Sequence, residues 1–315
     1  MKRAKLRAPC MNILRQLTKR RNSEVFEKLQ KLANQLKKRF AGKIGKIIVF
    51  INQKGGIGKT TLSHAFAYLL AKLGFAVLII DIDPSGNISS NSEADRTDTP
   101  GVMELLLTTS KIDETIQYIE KYGYYVIAAP EGRQLESKDF IKMLDQTETP
   151  AMNLRNGTET LRDHFDFIII DTGPNLNDAT MNGLVAADEI IVPTTININS
   201  LDGIADLWDA VCSVRESGVN ALPIRGILIN RFNARGIADR ETKDFIDQIA
   251  AALNAPVFST YIRHAAIVER ATKARQALTA FKEADNTPII DDIYKFMEEY
   301  LKGENESVAN KATTV

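Results

Sequence analysis

The chain has few cysteines and no long apolar run, and each absence excludes a class of protein. Its 315 residues include only two cysteines, Cys10 and Cys212. Neither a disulfide framework nor a four-thiolate metal site can therefore form within one chain, and a reducing, intracellular compartment is favoured. No stretch reaches the roughly 18 consecutive apolar residues of a membrane-spanning helix. A signal peptide is not expected either, because the N-terminal residues lack its apolar middle.

The whole chain has no net charge, but its basic and acidic residues are unevenly distributed along the sequence. Lys and Arg together number 40, and so do Asp and Glu. Residues 1–46 hold 15 of the basic side chains against only Glu24 and Glu27, a net charge of +13. The rest of the chain therefore has a net charge of −13. A basic arm on an acidic body indicates a polyanionic partner for the arm.

Short β-branched runs alternate with helical patterns along the acidic body. Almost continuous apolar character is typical of strands that are buried on both faces of a parallel sheet. The alternation predicts a doubly wound, mostly parallel α/β sheet flanked by helices. The predicted strands are 46–52, 75–83, 124–130, 165–172, 188–195 and 224–232, and helical patterns cover 60–73, 201–216, 239–253 and 287–303.

These patterns divide the chain into a basic helical arm, 1–45, a domain, 46–303, and a flexible tail, 304–315. In the arm, an apolar stripe predicts a helix over 23–40, with Phe26, Leu29, Leu32, Leu36 and Phe40 on one face. Three hypotheses remain open for the arm. Its basic face binds DNA or a protein partner, its stripe packs on the body or on a second subunit, or it is an organellar presequence.

The segment K-G-G-I-G-K-T-T, residues 54–61, lies between a predicted strand and a predicted helix. Glycines allow backbone N–H groups to approach phosphate oxygens, and the helix presents its positive N-terminal end to them. In a phosphate loop, Lys59 contacts the β- and γ-phosphates, and the Thr60 hydroxyl binds Mg²⁺. The ordinary loop pattern places a glycine at position 53, where this chain has Gln53, and a second lysine, Lys54, opens the loop.

This string resembles the deviant Walker A motif of the ParA/MinD superfamily of ATPases. The resemblance implies a homodimer in which two ATP molecules lie between the subunits, with Lys54 reaching the phosphates held by the partner. Lys54 and Lys59 are then catalytic. The implied ATP-binding residues are Lys54, Gly55, Gly56, Ile57, Gly58, Lys59, Thr60, Thr61 and Asn230.

Two further segments resemble motifs of the same family, in the expected order. D-I-D-P-S-G-N, residues 81–87, is similar to the family's switch segment, with Ser85 in place of the usual glutamine. This implies that Asp83 orients the attacking water and helps to hold Mg²⁺. F-D-F-I-I-I-D-T-G-P, residues 165–174, resembles a Walker B strand. The implied metal ligands are Thr60, Asp83 and Asp171.

The strand "GILINRFN", residues 226–233, resembles the one that ends beside the adenine in the family, which implies Asn230 as a base contact; an ordinary turn at a strand end is the alternative. The resemblance covers residues 46 to about 302. Metal-cluster and membrane-binding branches are disfavoured because the motifs lack cysteine and the C-terminal helix carries acidic residues such as Asp291 and Glu298.

What remains is the branch that partitions DNA, which implies binding to non-specific DNA and stimulation by a centromere-binding, ParB-like adaptor. Non-specific binding needs basic side chains against phosphates. Residues 225–282 hold ten basic and five acidic side chains, an excess that the body otherwise lacks. The candidate DNA contacts are Arg235, Arg263, Arg270, Lys273 and Arg275.

The expected function is therefore a Mg²⁺-dependent ATPase of DNA partition, cytoplasmic and nucleoid-associated, with no membrane partner. Two alternatives stay open. One is a related ATPase that positions a protein cargo over the same DNA surface with a different adaptor. The other is a metal-cluster carrier ATPase, although Cys10 and Cys212 do not form the C-x-x-C pair that it would need.

Overall fold

A sheet of seven strands runs through the computed structural model, which describes residues 23–40, 45–196, 199–233, 237–285 and 287–313. Six of the strands lie within the six predicted runs, and most of their residues are buried, as their apolar character predicts. The strands are β1 Lys46–Phe50, β2 Val77–Asp81, β3 Ile116–Ile119, β4 Tyr124–Ile127, β5 Phe167–Asp171, β6 Glu189–Thr195 and β7 Ile224–Asn230.

Their order across the sheet is β3-β4-β2-β5-β1-β6-β7, and all neighbours are parallel except β3 and β4. The predicted doubly wound, mostly parallel α/β fold is confirmed. The register aligns Phe50, Asp81 and Asp171 across three adjacent strands at their carboxyl ends. Chain order reverses beside β1, and ligands of such sheets bind at this kind of switch point. The topology therefore places the phosphate loop, the switch segment and the end of the Walker B strand together, at the carboxyl ends of the strands.

Helices flank the sheet on both faces. Each predicted helical pattern corresponds to one of them within two residues at its start. Their bounds are α1 Ser23–Phe40, α2 Lys59–Lys72, α3 Asn87–Ser92, α4 Val102–Leu106, α5 Lys138–Asp145, α6 Asn153–Glu159, α7 Asp178–Ala186, α8 Asn199–Glu216, α9 Ile237–Ala252, α10 Ile267–Lys273 and α11 Pro288–Thr313. Short 3₁₀ turns cover 112–114, 131–136, 278–280 and 282–284. No helix in the described ranges combines the length and apolar character of a membrane span.

The hydrophobic core has two halves, one on each face of the sheet, because successive strand residues point to opposite sides. On one face, α2 and α11 pack together, and the ring of Phe66 lies 5.7 Å from that of Phe296 and 4.9 Å from that of Tyr300. On the other face, α7 and α8 cover the sheet with buried side chains such as Leu184 and Val211. The phosphate-loop helix α2 is thereby fixed along most of its length.

The edge strand β3 was not predicted. Its residues, IQYI, pair antiparallel with β4, and only Ile119 is buried. A half-exposed strand of four residues has too little apolar character to be recognised by hydrophobicity. The hairpin with β4 decides its conformation.

Helix α1 is present over the predicted residues, and its apolar stripe packs on the body. Leu29, Ala33 and Leu36 are fully buried, and the ring of Phe26 lies 6.3 Å from that of Tyr294 on α11. The stripe docks within the same subunit. Phe40 has no described side chain, and residues 1–22 and 41–44 of the predicted arm lie outside the described ranges.

Polar contacts add to this packing. The side chains of Gln30 and Lys37 both donate to the carbonyl oxygen of Leu73, at the C-terminal end of α2. Cationic donors are favourable there because the last carbonyls of a helix lack partners within it. Lys28 forms an ion pair of 2.7 Å with Glu298 on α11. The arm helix thus contacts both helices that cover this face.

The last helix corrects one prediction. The helical pattern was predicted to end at residue 303, with a flexible tail over 304–315, but α11 continues to Thr313. Gly303 is instead needed for close approach, since a Cβ there would overlap the guanidinium of Arg225. Beyond it, Glu304 is 4% exposed and accepts a hydrogen bond of 2.6 Å from Lys46. The helix is extended by these tertiary contacts.

Candidate functional site

The loop between β1 and α2 has the backbone geometry of a phosphate cradle. Gly58 precedes α2 with a φ of +94°, a conformation that a residue with a Cβ rarely adopts. A Cβ at this position would also overlap the amide of Asn230. Asn230 donates from Nδ2 to the carbonyl oxygen of Ile57 at 2.7 Å. Asn230, at the end of β7, therefore supports the loop through this hydrogen bond. Its predicted contact with the adenine base stays a prediction.

Asn52 is a second support, which the sequence reasoning did not identify. Its Nδ2 donates to the carbonyl oxygen of Pro193 at 2.8 Å, and its Oδ1 accepts from the backbone N–H of Lys54 at 3.0 Å. The side chain is fully buried. An asparagine in the second position after the strand, next to a glycine loop, was the available signal. Asn52 fixes where the loop leaves the sheet.

The two lysines of the loop have different surroundings. Lys59 is 6% exposed, and its Nζ donates to the carbonyl oxygen of Lys54 at 2.9 Å. Burial lowers the pKa of Lys59, while the carboxylates of Asp171 and Asp83 counteract this effect. The side chain of Lys54 is half-buried and has no hydrogen bond or ion pair with any residue that the structure describes. Lys59 thus points into its own loop, and Lys54 is available to another partner.

Asp171 lies at the end of β5, fully buried, beneath the start of α2. Ser63 of α2, another residue that the sequence reasoning missed, donates from Oγ to Asp171 Oδ1 at 2.7 Å. Oδ2 of Asp171 is buried and has no hydrogen-bond partner among the described residues. Burial and the nearby charge of Asp81 hold the pKa of Asp171 well above its usual range. A cation at this position would relieve both effects.

The switch segment forms a tight turn after β2. Asp83, 6% exposed, accepts from the backbone N–H of Ser85 at its Oδ1 and from that of Gly86 at its carbonyl oxygen, at 2.9 and 2.8 Å. Asp81 accepts from the hydroxyl of Ser89 at 2.7 Å, and burial raises its pKa to about 6. Asp81 therefore positions helix α3, and Asp83 is held at the wall of the cleft.

The donor set fits Mg²⁺. This ion prefers oxygen ligands, keeps several waters and is usually held by one or two carboxylates together with substrate phosphates. Thr60, Asp83 and Asp171 supply oxygens at one end of the loop, and the unpartnered Oδ2 of Asp171 is the direct observation. No cluster of three or more His, Cys, Asp or Glu side chains occurs in the described ranges, so an all-protein metal cage is not found there.

These elements surround one cleft of about 770 Å³. Its lining includes six of the nine predicted ATP-binding residues, together with Asp83. Lys54, Ile57 and Asn230 are not in the lining; Ile57 is buried, and Asn230 lies under the loop. Two predicted DNA contacts, Lys273 and Arg275, lie on the opposite wall. That wall comes from α10 and the turn after it, where Arg275 has a positive φ of 51°.

The remaining DNA candidates have different surroundings. Arg263 forms a bidentate ion pair with Asp292, at 2.6 and 2.8 Å, and Asp292 is only 4% exposed. Arg270 pairs with the exposed Glu283. Arg235 lies outside the described residues. Lys273 and Arg275 therefore keep more freedom to bind a ligand than Arg263, which neutralises a buried carboxylate.

Comparison with known proteins agrees with this geometry. A family model described as an AAA domain, AAA_31, matches residues 45–224. The chromosome-partitioning ATPase Soj of Treponema pallidum is 32% identical over 220 residues, which is 70% of this chain and 83% of that protein.

Solved structures are also similar. Apo McdA from Cyanothece superposes with a TM-score of 0.71 at 20% identity, over 81% of this chain and 99% of that one. Cobyrinic acid a,c-diamide synthase from Mycobacterium smegmatis, with bound ADP and magnesium, has a TM-score of 0.63 at 25% identity, over 77% and 93%. With its loop, its sheet order and these matches, the chain belongs to the ParA/MinD-type family of P-loop ATPases.

Proposed function

We propose that this ATPase partitions DNA. ATP drives two subunits together into a sandwich dimer, the dimer binds DNA without sequence preference, and a centromere-binding adaptor of ParB type stimulates hydrolysis and release. The observation that carries the proposal is the contrast between the two lysines. Lys59 is bound to its own loop, whereas the side-chain ammonium of Lys54, the residue before the cleft-lining Gly55, has no hydrogen bond or ion pair with any described residue.

The chain's own residues have distinct tasks in this proposal. Backbone N–H groups of Gly55 to Gly58 and the start of α2 bind phosphates, and Lys59 neutralises charge at the β- and γ-phosphates. Thr60, Asp83 and Asp171 would hold Mg²⁺, which supplies further neutralisation of the phosphate oxygens when bound. Asp83 orients the attacking water and accepts its proton. Lys54 of the partner subunit completes the site in trans.

DNA binding is supported by the exposed basic side chains of α10 and the turn after it, and by the basic arm. Arg270, Lys273 and Arg275 are all exposed, and Lys31 and Lys38 are exposed on α1. Each contact with a phosphate releases counterions and needs no base recognition. We place the protein in the cytoplasm, associated with the nucleoid. The McdA-like fold is equally compatible with the second candidate, a related ATPase that positions a protein cargo.

The deciding experiment measures binding of the purified full chain to two duplexes of unrelated sequence, with ATP and Mg²⁺, with ADP, and without nucleotide. We expect comparable binding to both duplexes with ATP and little with ADP. The variant Asp83→Ala is the matched control, because it should bind ATP without hydrolysing it and remain on DNA. Binding that ignores nucleotide, or that is confined to one operator sequence, would overturn the partition function and leave the ATPase assignment intact.

A further inference from the structure

Arg96 connects the switch segment to the chain that follows β4. Its guanidinium makes three hydrogen bonds: Nε to the carbonyl oxygen of Ala129 at 2.8 Å, Nη2 to that of Pro130 at 2.6 Å, and Nη1 to Oγ of Ser90 at 2.8 Å. The acceptors belong to two separate segments. Arg96 itself is half-buried and lies outside the lining of the nucleotide cleft.

The guanidinium also fills the space above Gly86. Gly86 precedes α3 with a φ of +60°, and a Cβ built on it would lie 2.6 Å from Cζ of Arg96 and closer still to Nη2. Gly86 closes a turn, because its backbone N–H donates to the carbonyl oxygen of Asp83. Arg96 therefore packs directly against the turn that holds Asp83.

A second link joins the same segments. Oγ of Ser89 donates to Asp81 at 2.7 Å and accepts from the backbone N–H of Ala129 at 2.9 Å. Ala129 is thus bound through its N–H to Ser89 and through its carbonyl oxygen to Arg96. A planar guanidinium with five fixed donors can satisfy three acceptors at once, whereas a lysine ammonium cannot reproduce this arrangement.

We propose that Arg96 is a positioning residue for ATP hydrolysis, which fixes the Asp83 turn against the end of β4 so that the Asp83 carboxylate stays oriented toward the attacking water. This rests on the role of Asp83 in the proposed function. Small displacements of a reacting group lower the rate strongly, whereas nucleotide affinity depends on the loop residues that Arg96 does not contact. Loss of Arg96 therefore lowers kcat and leaves KM and ATP affinity nearly unchanged.

The test compares Arg96→Ala, Arg96→Lys and Asp83→Ala in the full chain by steady-state hydrolysis and by binding of a fluorescent ATP analogue. Arg96→Ala should lower kcat about tenfold or more, because misplacement of catalytic groups is costly. Arg96→Lys should recover only part of the rate. Arg133→Ala is the matched control: within the part of the chain that the structure describes, its exposed guanidinium bonds only to Glu136, so its loss should leave hydrolysis unchanged.

Chemical rescue separates positioning from general stability. Arg96 lines a second, open cavity of about 450 Å³, so a small cation can reach the space that Arg96→Ala vacates. Millimolar guanidinium should restore part of the rate in that variant and in none of the others. A purely structural defect would not be rescued, since guanidinium destabilises folded proteins.

A double-mutant cycle with Gly86 gives an independent readout. Gly86→Ala should reduce kcat strongly in the native background and less in the Arg96→Ala background, where the overlap with the guanidinium is removed. Equal effects in both backgrounds would contradict the packing that the inference requires.

The outcomes are distinguishable. If Asp83→Ala abolishes hydrolysis but Arg96→Ala and Arg96→Lys hydrolyse ATP normally, the inference is wrong and the proposed function survives. If Arg96→Ala loses ATP affinity and thermal stability together and guanidinium rescues neither, Arg96 is merely structural and the inference is also overturned. Normal hydrolysis by Asp83→Ala would remove the proposed role of Asp83 and the inference with it.

Discussion

Lys54 and Lys59 are only five positions apart, yet Lys59 is buried and Lys54 is only half-buried. Lys59 is nearly inaccessible and bonded to the loop, so removing its ammonium would take away the proposed phosphate ligand within the same subunit. Lys54 is half-buried, and its ammonium has no hydrogen bond or ion pair with any described residue. A lysine in that position is suited to a phosphate that the same loop does not hold.

This difference predicts complementation between two inactive variants. Lys54→Ala should bind ATP but lose hydrolysis, and Lys59→Ala should bind ATP poorly. In a mixture, a heterodimer has one site that combines Lys59 from the first protein with Lys54 from the second, so hydrolysis should reappear. Phosphate release measured at several mixing ratios would show a maximum near equal amounts. Activity that never exceeds that of the separate proteins would contradict transfer of Lys54 to the partner site.

His64, which is buried in α2, predicts a pH dependence of stability. Its Nε2 shares a hydrogen bond of 2.6 Å with the hydroxyl of Tyr124, and burial, with a contribution from Lys121, lowers its pKa to about 3. The unfolded chain, with the ordinary pKa of 6.5, binds a proton that the folded protein rejects as the pH falls between those values. This contribution to stability is therefore complete above pH 6.5 and is lost on acidification.

Between pH 7 and pH 5, the loss amounts to about 2 kcal/mol, at roughly 1.4 kcal/mol per pH unit below the unfolded pKa. His64→Gln removes the titration while keeping a donor for Tyr124, so its free energy of unfolding should fall less over this range. Denaturant titrations at both pH values measure the difference. The exposed His264→Gln serves as the control and should follow the native protein. Parallel pH dependences for native protein and His64→Gln would contradict the assignment.

At the scale of elements, α1 is part of the folded body. Its stripe is buried against α11, while lysines on the opposite side remain exposed. The two faces can therefore be tested separately, because different side chains carry packing and charge.

Leu29→Ala together with Leu36→Ala should lower the melting temperature, since each buried leucine contributes about 2–5 kcal/mol. Lys31→Ala together with Lys38→Ala, on the exposed face, should leave melting unchanged and weaken DNA binding. Calorimetry and anisotropy measure the two effects. If the double leucine variant melts like the native protein, the docking of α1 is not a source of stability. If the double lysine variant binds DNA as well as the native protein does, the arm helix has no role in DNA binding.

For the whole molecule, opposite charges are segregated in sequence but only partly in space. Arg263 and Lys28 are paired with acidic residues of α11, whereas Lys273 and Arg275 face the nucleotide cleft. The basic excess of a segment therefore overstates the charge available to DNA. Arg270, whose one ion pair with a described residue is to the exposed Glu283, remains available because such surface pairs are weak.

Arg270→Gln with Lys273→Gln should lower DNA affinity in the ATP state and reduce the slope of log affinity against log salt by about 2, because each phosphate contact contributes about 0.9. ATP hydrolysis without DNA should persist. Arg263→Gln is the contrasting variant: it leaves Asp292 buried and unpaired, so its main effect should be on thermal stability. An unchanged salt slope in the double variant would exclude α10 from the DNA surface.

Six of the seven strands, the doubly wound class and the loop with its two lysines could be predicted from the sequence alone. These features follow from local order: strand periodicity, the glycines and the helix start all lie within short stretches. Asp83 and Asp171 were predicted as metal ligands from the resemblance of their segments to family motifs, and the parallel strands bring both to the carboxyl edge of the sheet.

The residues that support that site became apparent only in the folded chain. The supporting residues act through partners in other segments; they are Asn52, Ser63, Ser89 and Arg96. Arg96, for example, bonds to Ala129, more than 30 positions further along the chain. The length of α11 and the strand β3 were settled in the same way, by contacts with elements that are distant in the chain. Local propensity cannot encode such contacts, because their free energy exists only once the sheet has brought the partners together.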